Sequence, residues 1–225
     1  NATRSHIHTH TYAHSCGCCE APQIYKISDT KTKKKVLYAK EDSSCLMRCC
    51  CGTNRPFDID VFEGLDDSAP VMLSMHRHLA CAPGSCCCQQ TISICDYSSK
   101  HDLGKAYVPF FCCTPQINVV DEHGNEQYEI EKDGCGCFGC CSFIICESCR
   151  SVPFNIRNKN GDDVGKIVKK WGGLGMEALS DLDTFVVNFP NDASAKQRAL
   201  LLGATFLLDI NFFERDNKKE TKPEG

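Results

Sequence analysis

The sequence predicts a mainly β protein, an antiparallel barrel of about ten to twelve strands with one apolar C-terminal helix. Three observations carry that prediction. Short segments alternate apolar and polar residues at period two, polar turn clusters separate them, and one apolar run near the C-terminus breaks the pattern.

The alternation is clearest in Phe57-Asp58-Ile59-Asp60-Val61, Thr91-Ile92-Ser93-Ile94, Gln116-Ile117-Asn118-Val119, Tyr128-Glu129-Ile130-Glu131 and Phe154-Asn155-Ile156-Arg157. Period two sets one face of a strand on a core and the other in water. The turn clusters include Ser98–His101, Glu122–Asn125 and Asn158–Asp162, residues that tolerate left-handed backbone or form Asx-turns. Strand, turn and return strand recur about every 25–35 residues. Five hairpins follow: Tyr25–Ala39, Phe57–Met75, Gln90–Val108, Gln116–Glu131 and Phe154–Trp171, with a further strand at Phe185–Phe189. Closing such a sheet into a barrel removes the edges that would otherwise invite aggregation.

Ala195–Glu214 reads as a helix that is apolar almost all round, capped by Asp192 or Ser194. Such a helix is buried in protein or in lipid. Its uncharged stretch, Ala199–Leu208, is ten residues long. A bilayer span takes about 20. Asp209 and Asn211 would also enter the hydrocarbon, which favours a helix threaded through the barrel over a membrane span.

The chain has 225 residues and a net charge of −4, which excludes a broad nucleic-acid footprint. It suits one domain, residues 23–215, with an unstructured lead at 1–22 and a disordered charged tail at 216–225. The lead carries His6, His8, His10 and His14, then Cys16, Cys18 and Cys19, a composition that can also bind metal. No secretory signal is readable there.

Cysteine is the outlier, with 20 residues. Many stand in adjacent runs, and neighbouring cysteines rarely bond each other, so reduced thiols on a cytosolic face are expected. The runs fall between hairpins rather than at their tips, which would gather them at one end of a barrel. Cys86, Cys87 and Cys88 are candidates for S-palmitoylation. Cys137-x-x-Cys140 and Cys146-x-x-Cys149 have zinc-ligand character, but the gap between the pairs is short for a zinc ribbon.

Asp181, Asp183 and Asp192 could supply carboxylates to a hard cation, with main-chain oxygens between them. The segment makes a poor EF-hand: Phe185 and Val186 sit where that loop needs an oxygen ligand and a glycine. Binding would be weak, on the order of 10⁻⁴–10⁻³ M. Lys166, Lys169 and Lys170 beside Trp171 form a small basic-aromatic patch, either a contact for anionic lipid or an import receptor, or a solvated strand end. The sequence carries no G-x-S-x-G and no Walker loop.

In this order the features resemble the phospholipid scramblase family. The resemblance rests on Asn54-Arg55-Pro56-Phe57, on Cys86–Cys88 followed by Gln89–Ile94, and on Gly165–Trp171. Above all it rests on Asp181–Asp192 with the apolar helix and Phe212-Phe213-Glu214 behind it. It covers about residues 24–214, and the order and spacing of the motifs are more specific than any one of them. It implies a tubby-like closed antiparallel barrel of about twelve strands around a buried C-terminal helix. It implies calcium-stimulated, energy-independent, bidirectional movement of phospholipids between leaflets, with no covalent chemistry. It places calcium near Asp181, Asp183, Phe185, Val187, Phe189 and Asp192, and palmitate on Cys86, Cys87 and Cys88. It makes Lys166, Lys169 and Lys170 an import-like stretch. The implied partners are membrane phospholipids, a membrane surface reached through acylated cysteines, and proteins. The implied location is the cytoplasmic face of the plasma membrane, or the nucleus when the chain is unacylated. The proline-rich region of many members has no counterpart in residues 1–22, and the acylation run is shorter.

Overall fold

The computed structural model describes residues 4–11, 21–80, 89–110, 114–133, 151–170 and 182–214. Twelve strands follow one another along them: β1 (Arg4–Thr11), β2 (Gln23–Asp29), β3 (Lys35–Asp42), β4 (Phe57–Phe62), β5 (Val71–Arg77), β6 (Thr91–Asp96), β7 (Asp102–Tyr107), β8 (Gln116–Asp121), β9 (Glu126–Lys132), β10 (Ser151–Asn158), β11 (Asp163–Lys170) and β12 (Leu182–Asn188). Two helices accompany them, α1 (Cys45–Cys51), followed by a 3₁₀ turn at Gly52–Asn54, and α2 (Ala195–Phe212).

From β2 to β12 each strand pairs antiparallel with the next, an eleven-strand meander. The five expected hairpins and the strand at Phe185–Phe189 lie within it. β1 stands between its two ends, with Ile7 opposite Ile27 of β2 and opposite Phe185 of β12. This corrects the reading of residues 1–22 as an unstructured lead, for Arg4–Thr11. That stretch does alternate at period two, but Ile7 is its single strongly apolar residue, so the alternation carries little hydrophobic signal. Ile7 is fully buried.

The five hairpins share one plan. Each has a register shift close to its turn, at Ile27/Ser28, Val61/Phe62, Ile94/Cys95, Val119/Val120 and Ile156/Arg157. Such bulges sharpen the twist and bend that let a sheet curl on itself. Four of the turns open on an Asx residue at the end of the outgoing strand. Asp29 accepts from the Lys31 and Thr32 amides, Asp96 from Ser99, Asp121 from His123 and Asn125, and Asn158 from Asn160 and Asp162. In each of these four a residue close behind takes a left-handed conformation: Lys33, Lys100, Gly124 and Gly161, with φ between 55° and 86°.

The inward faces of the strands bury Ile27, Ile59, Met75, Ile94, Val119, Ile130, Phe154 and Phe185 against α2. The helix begins behind Ser194, whose hydroxyl accepts from the Gln197 amide while the Gln197 side chain accepts from the Ser194 amide. Every residue from Leu200 to Asn211 is buried. At about 1.5 Å per residue α2 is roughly 27 Å long, enough to run the full height of the strands. Gly203 sets its closest approach: a Cβ there would lie 2.8 Å from Ile94 Cγ1. No helix among the described residues is long and apolar enough to cross a membrane. The apolar run is thus the core of the sheet, and the expected helix ends close to its expected bounds.

Candidate functional site

The topology gives the molecule two unlike ends. The hairpin turns lie at one, together with the start of α2, where Lys196 pairs with Glu122 and Gln197 bonds Gln127. The connections between hairpins lie at the other, and the C-terminus of α2 arrives there. In sequence the cysteine-rich stretches fall in these connections: α1 lies between β3 and β4, Cys81–Cys88 between β5 and β6, Cys112–Cys113 between β7 and β8, and Cys135–Cys149 between β9 and β10. Of the cysteines in these connections, only those of α1 fall within the described residues.

Beneath these connections lies a buried polar network. The Arg55 side chain, 1% exposed, donates from Nε and Nη2 to the two carboxylate oxygens of Glu41 at 2.6 and 2.8 Å. Its Nη1 donates to Glu214 Oε1 at 2.7 Å and to the Gly52 carbonyl at 3.0 Å. Glu41 also accepts from the Gln23 amide and the Ser43 hydroxyl. Arg77, also fully buried, donates from Nη2 to Gln90 Oε1 and to Asn211 Oδ1. Both guanidinium groups sit over the Phe57 ring, at 5.8 and 5.3 Å. Asn54 links the two halves: its side chain accepts from Gln90 Nε2 at 3.1 Å and its carbonyl from the Ala80 amide at 3.2 Å.

Charge balance in this network is uneven. Burial works against the Glu41 carboxylate, but the Arg55 hydrogen bonds and charge outweigh it and hold the carboxyl below its usual range. Burial also opposes the Arg55 charge, and Glu41 and Glu214 together hold its pKa well above the ordinary arginine value. Arg77 goes the other way, lowered to about 10 by burial and by the neighbouring Arg55 charge. Its Nε and Nη1 have no hydrogen-bond partner among the described residues. Burial and the acidic groups Asp209, Glu41 and Glu214 raise the Tyr25 hydroxyl, whose ring stacks 4.2 Å from that of Phe206 on α2.

On the outer side of this network stands α1, capped by the Ser44 hydroxyl on the Met47 amide. It buries none of its residues. Leu46 is 65% exposed, Met47 is exposed, and Cys49 and Cys50 are exposed free thiols. Cys45 is disulfide-bonded, so the expectation of reduced thiols throughout does not hold for that residue. Leu79 and Phe110, in neighbouring connections of the same end, are 61% and 72% exposed.

Among the described residues, those expected to hold calcium are spread along β12 and the turn behind it. Asp181 lies outside the described residues, and Asp183 is in β12, opposite Thr9 of β1. Phe185 and Val187 are fully buried and Phe189 nearly so, with their side chains in the core. β12 is paired on both sides, so its carbonyls point at neighbouring strands rather than at a common centre. Asp192 is exposed in the turn before α2, beyond the opposite end of β12 from Asp183. The described residues contain no group of three or more metal-type side chains. The strand expected at Phe185–Phe189 thus extends over Leu182–Asn188, with Asp183 near its start and Asp192 beyond its end.

The basic stretch is divided for a similar reason. Lys166 is half-exposed and pairs with Asp133 at 3.0 Å, and Lys170 is exposed. Lys169, on the other face of β11, is fully buried with its Nζ 4.9 Å from the ring centres of both Phe185 and Phe213. Period two splits what reads as one patch, so Lys169 is neither a solvated strand end nor part of a surface patch. Trp171, Cys86–Cys88 and the CxxC pairs at 137–149 lie outside the described residues.

Sequence reading missed the network itself. Arg55 enters it only as part of a motif and Asn211 only as a burden on the helix, although charged residues beside strand ends facing an apolar helix are a signal for such an arrangement.

Comparison with known proteins gives a consistent result. The family model named Scramblase matches residues 13–215. Phospholipid scramblase 1 of Homo sapiens is 31% identical over 192 residues, covering 84% of this chain and 56% of the relative. Phospholipid scramblase 2 of Bos taurus is 34% identical over 187 residues, covering 80% and 58%. Phospholipid scramblase family member 5 of Homo sapiens is 26% identical over 205 residues, covering 87% and 68%. The chain thus spans a little over half the length of the first two. No solved structure matches it.

Proposed function

Because the chain belongs to the scramblase family, we propose that it moves phospholipids between bilayer leaflets, in both directions and without an energy source. The observation that carries the reading is a match running unbroken from residue 13 to residue 215, through every motif from Asn54 to Glu214. The proposal takes the domain as a closed barrel around α2, with β1 supplying the closing pairs. With α2 as its core, the barrel interior is filled by side chains, so lipid moves outside it, at the outer surface or where copies of the chain perturb the bilayer.

Calcium stimulation belongs to the same proposal as a property of the domain. The test is reconstitution in vesicles with a fluorescent phospholipid and an impermeant quencher, with and without calcium. Acceleration of lipid exchange supports the reading, and none at millimolar calcium overturns it. Asp181→Ala, Asp183→Ala and Asp192→Ala, measured in the same assay, show whether these carboxylates set the calcium response.

A second reading is a membrane-tethered interaction protein without transport of its own, held by palmitate on Cys86, Cys87 and Cys88 at the cytoplasmic face of the plasma membrane and released to the nucleus when unacylated. The burial of α2 favours it, since a helix that forms the core cannot also be the anchor. It predicts vesicle or cell-membrane binding that disappears when these cysteines are changed to alanine, with protein partners still captured.

A further inference from the structure

The helix α1 packs no apolar face against the described residues. Short helices are marginal in water, and in proteins their stability comes mostly from packing an apolar face. α1 is seven residues long, reads Cys-Leu-Met-Arg-Cys-Cys-Cys, and buries none of them. Its only basic side chain, Arg48, folds back onto the Ser43 hydroxyl at 3.0 Å. That leaves Leu46, Met47, Cys49 and Cys50 turned to solvent.

The network beneath fixes where α1 stands. Arg55, just behind it, is clamped by Glu41, just before it, and by Glu214 at the end of α2. Asn54 binds both ends of the next connection, Ala80 by its carbonyl and Gln90 by its side chain. Cys88 is two residues before Gln90 in the chain. The α1 cysteines and the Cys86–Cys88 connection are thus rooted in one rigid platform, at the end where Leu79 and Phe110 also protrude.

We propose that α1 is a second lipid-attachment site, with Cys49 and Cys50 as S-acylation sites beside the one read at Cys86–Cys88. The inference rests on that reading of the molecule as membrane-attached. The thiolate of Cys49 or Cys50 attacks the carbonyl of a long-chain acyl-coenzyme A thioester. A new carbon–sulfur bond forms, the bond to the coenzyme breaks, and the coenzyme leaves as its thiolate, which takes a proton from water. Exposed free thiols suit this transfer, and the flanking Leu46 and Met47 give the chain an apolar surface to lie along. One acyl chain holds a protein to a membrane only marginally, whereas two signals hold it stably. Two acylated runs whose flanking residues share one hydrogen-bonded network would also fix which end of the barrel faces the bilayer.

The full chain, expressed in mammalian cells, is analysed by exchanging hydroxylamine-sensitive acyl groups for a mass tag. Three forms are compared: wild type, Cys86→Ala/Cys87→Ala/Cys88→Ala, and that variant with Cys49→Ala/Cys50→Ala added. The expected result is that the triple variant keeps acylation, found on the tryptic peptide that begins at Cys49, and that the quintuple variant falls to background. Acylated wild type with an unacylated triple variant overturns the α1 site and leaves the reading at Cys86–Cys88 standing. Wild type without any acylation overturns both. The exposed positions tolerate alanine, and the circular dichroism spectrum of each purified form checks that the fold is retained.

Discussion

The two ends of the sheet solve the same problem, joining neighbouring strands, in opposite ways. At the hairpin end four of the five turns are closed mainly by their own residues. Asp29, Asp96, Asp121 and Asn158 close their own turns through amides two to four residues away. At the other end little is local: Arg55 reaches Glu214 across 159 positions and Arg77 reaches Asn211 across 134. The contacts that close the hairpin turns are local in sequence, whereas those of the connecting end need the C-terminus of α2 in place.

If that contrast holds, the largest effect belongs to Arg55. Arg55→Ala leaves Glu41 and Glu214 buried without their shared cation, and breaking one side of such a cluster costs about 3–5 kcal/mol. Chemical denaturation should show that loss. Replacing all three members with apolar residues of similar volume should recover most of it, because the buried charges then vanish together. Next comes Gly203→Leu, which drives a side chain into Ile94 of β6 and should cost about 1–3 kcal/mol by thermal or urea unfolding.

The turns should respond far less, and without spreading. Lys33 is a left-handed residue with a side chain, so Lys33→Gly relieves strain and should stabilise the protein by up to about 1 kcal/mol. The smallest effect is a pH dependence. Hydrogen bonds from the Ser99 amide and hydroxyl and the Ser98 hydroxyl lower the Asp96 carboxyl to about 2. A depressed carboxyl stabilises the fold above its unfolded value of about 3.9 and loses that contribution as pH falls toward 2. Asp96→Asn should therefore flatten the acid limb of the stability profile between those values, with little change at neutral pH. A large change at neutral pH would mean that the turns are not self-contained.

The same contrast explains what was legible in the sequence. The hairpins were, because alternation such as Phe57–Val61 and turns such as Asn158–Asp162 are written in consecutive residues. So was α2, with Ser194 as one of its two candidate caps. β1 was not, with Ile7 as its single strong apolar residue. The Arg55 network was not either, since nothing local marks an arginine whose partner lies at the far end of the chain. Where local reading overreached, strand geometry was the cause. Period two turned Lys169 inward from an apparent basic patch, and β12 set Asp183 and Asp192 apart where their carboxylates had been read together.

The central claim is that α2 is the core of the sheet and stays so when the protein meets a bilayer. Hydrogen exchange of the vesicle-bound chain tests it most directly. The account predicts that the amides of Ile59, Ile94, Val119 and Ile130 on the strands stay protected together with those of Leu200–Asn211, as they are in the free protein. Strand amides that lose protection on membrane binding while α2 remains protected would mean that the helix has left the sheet for the lipid, and would contradict it.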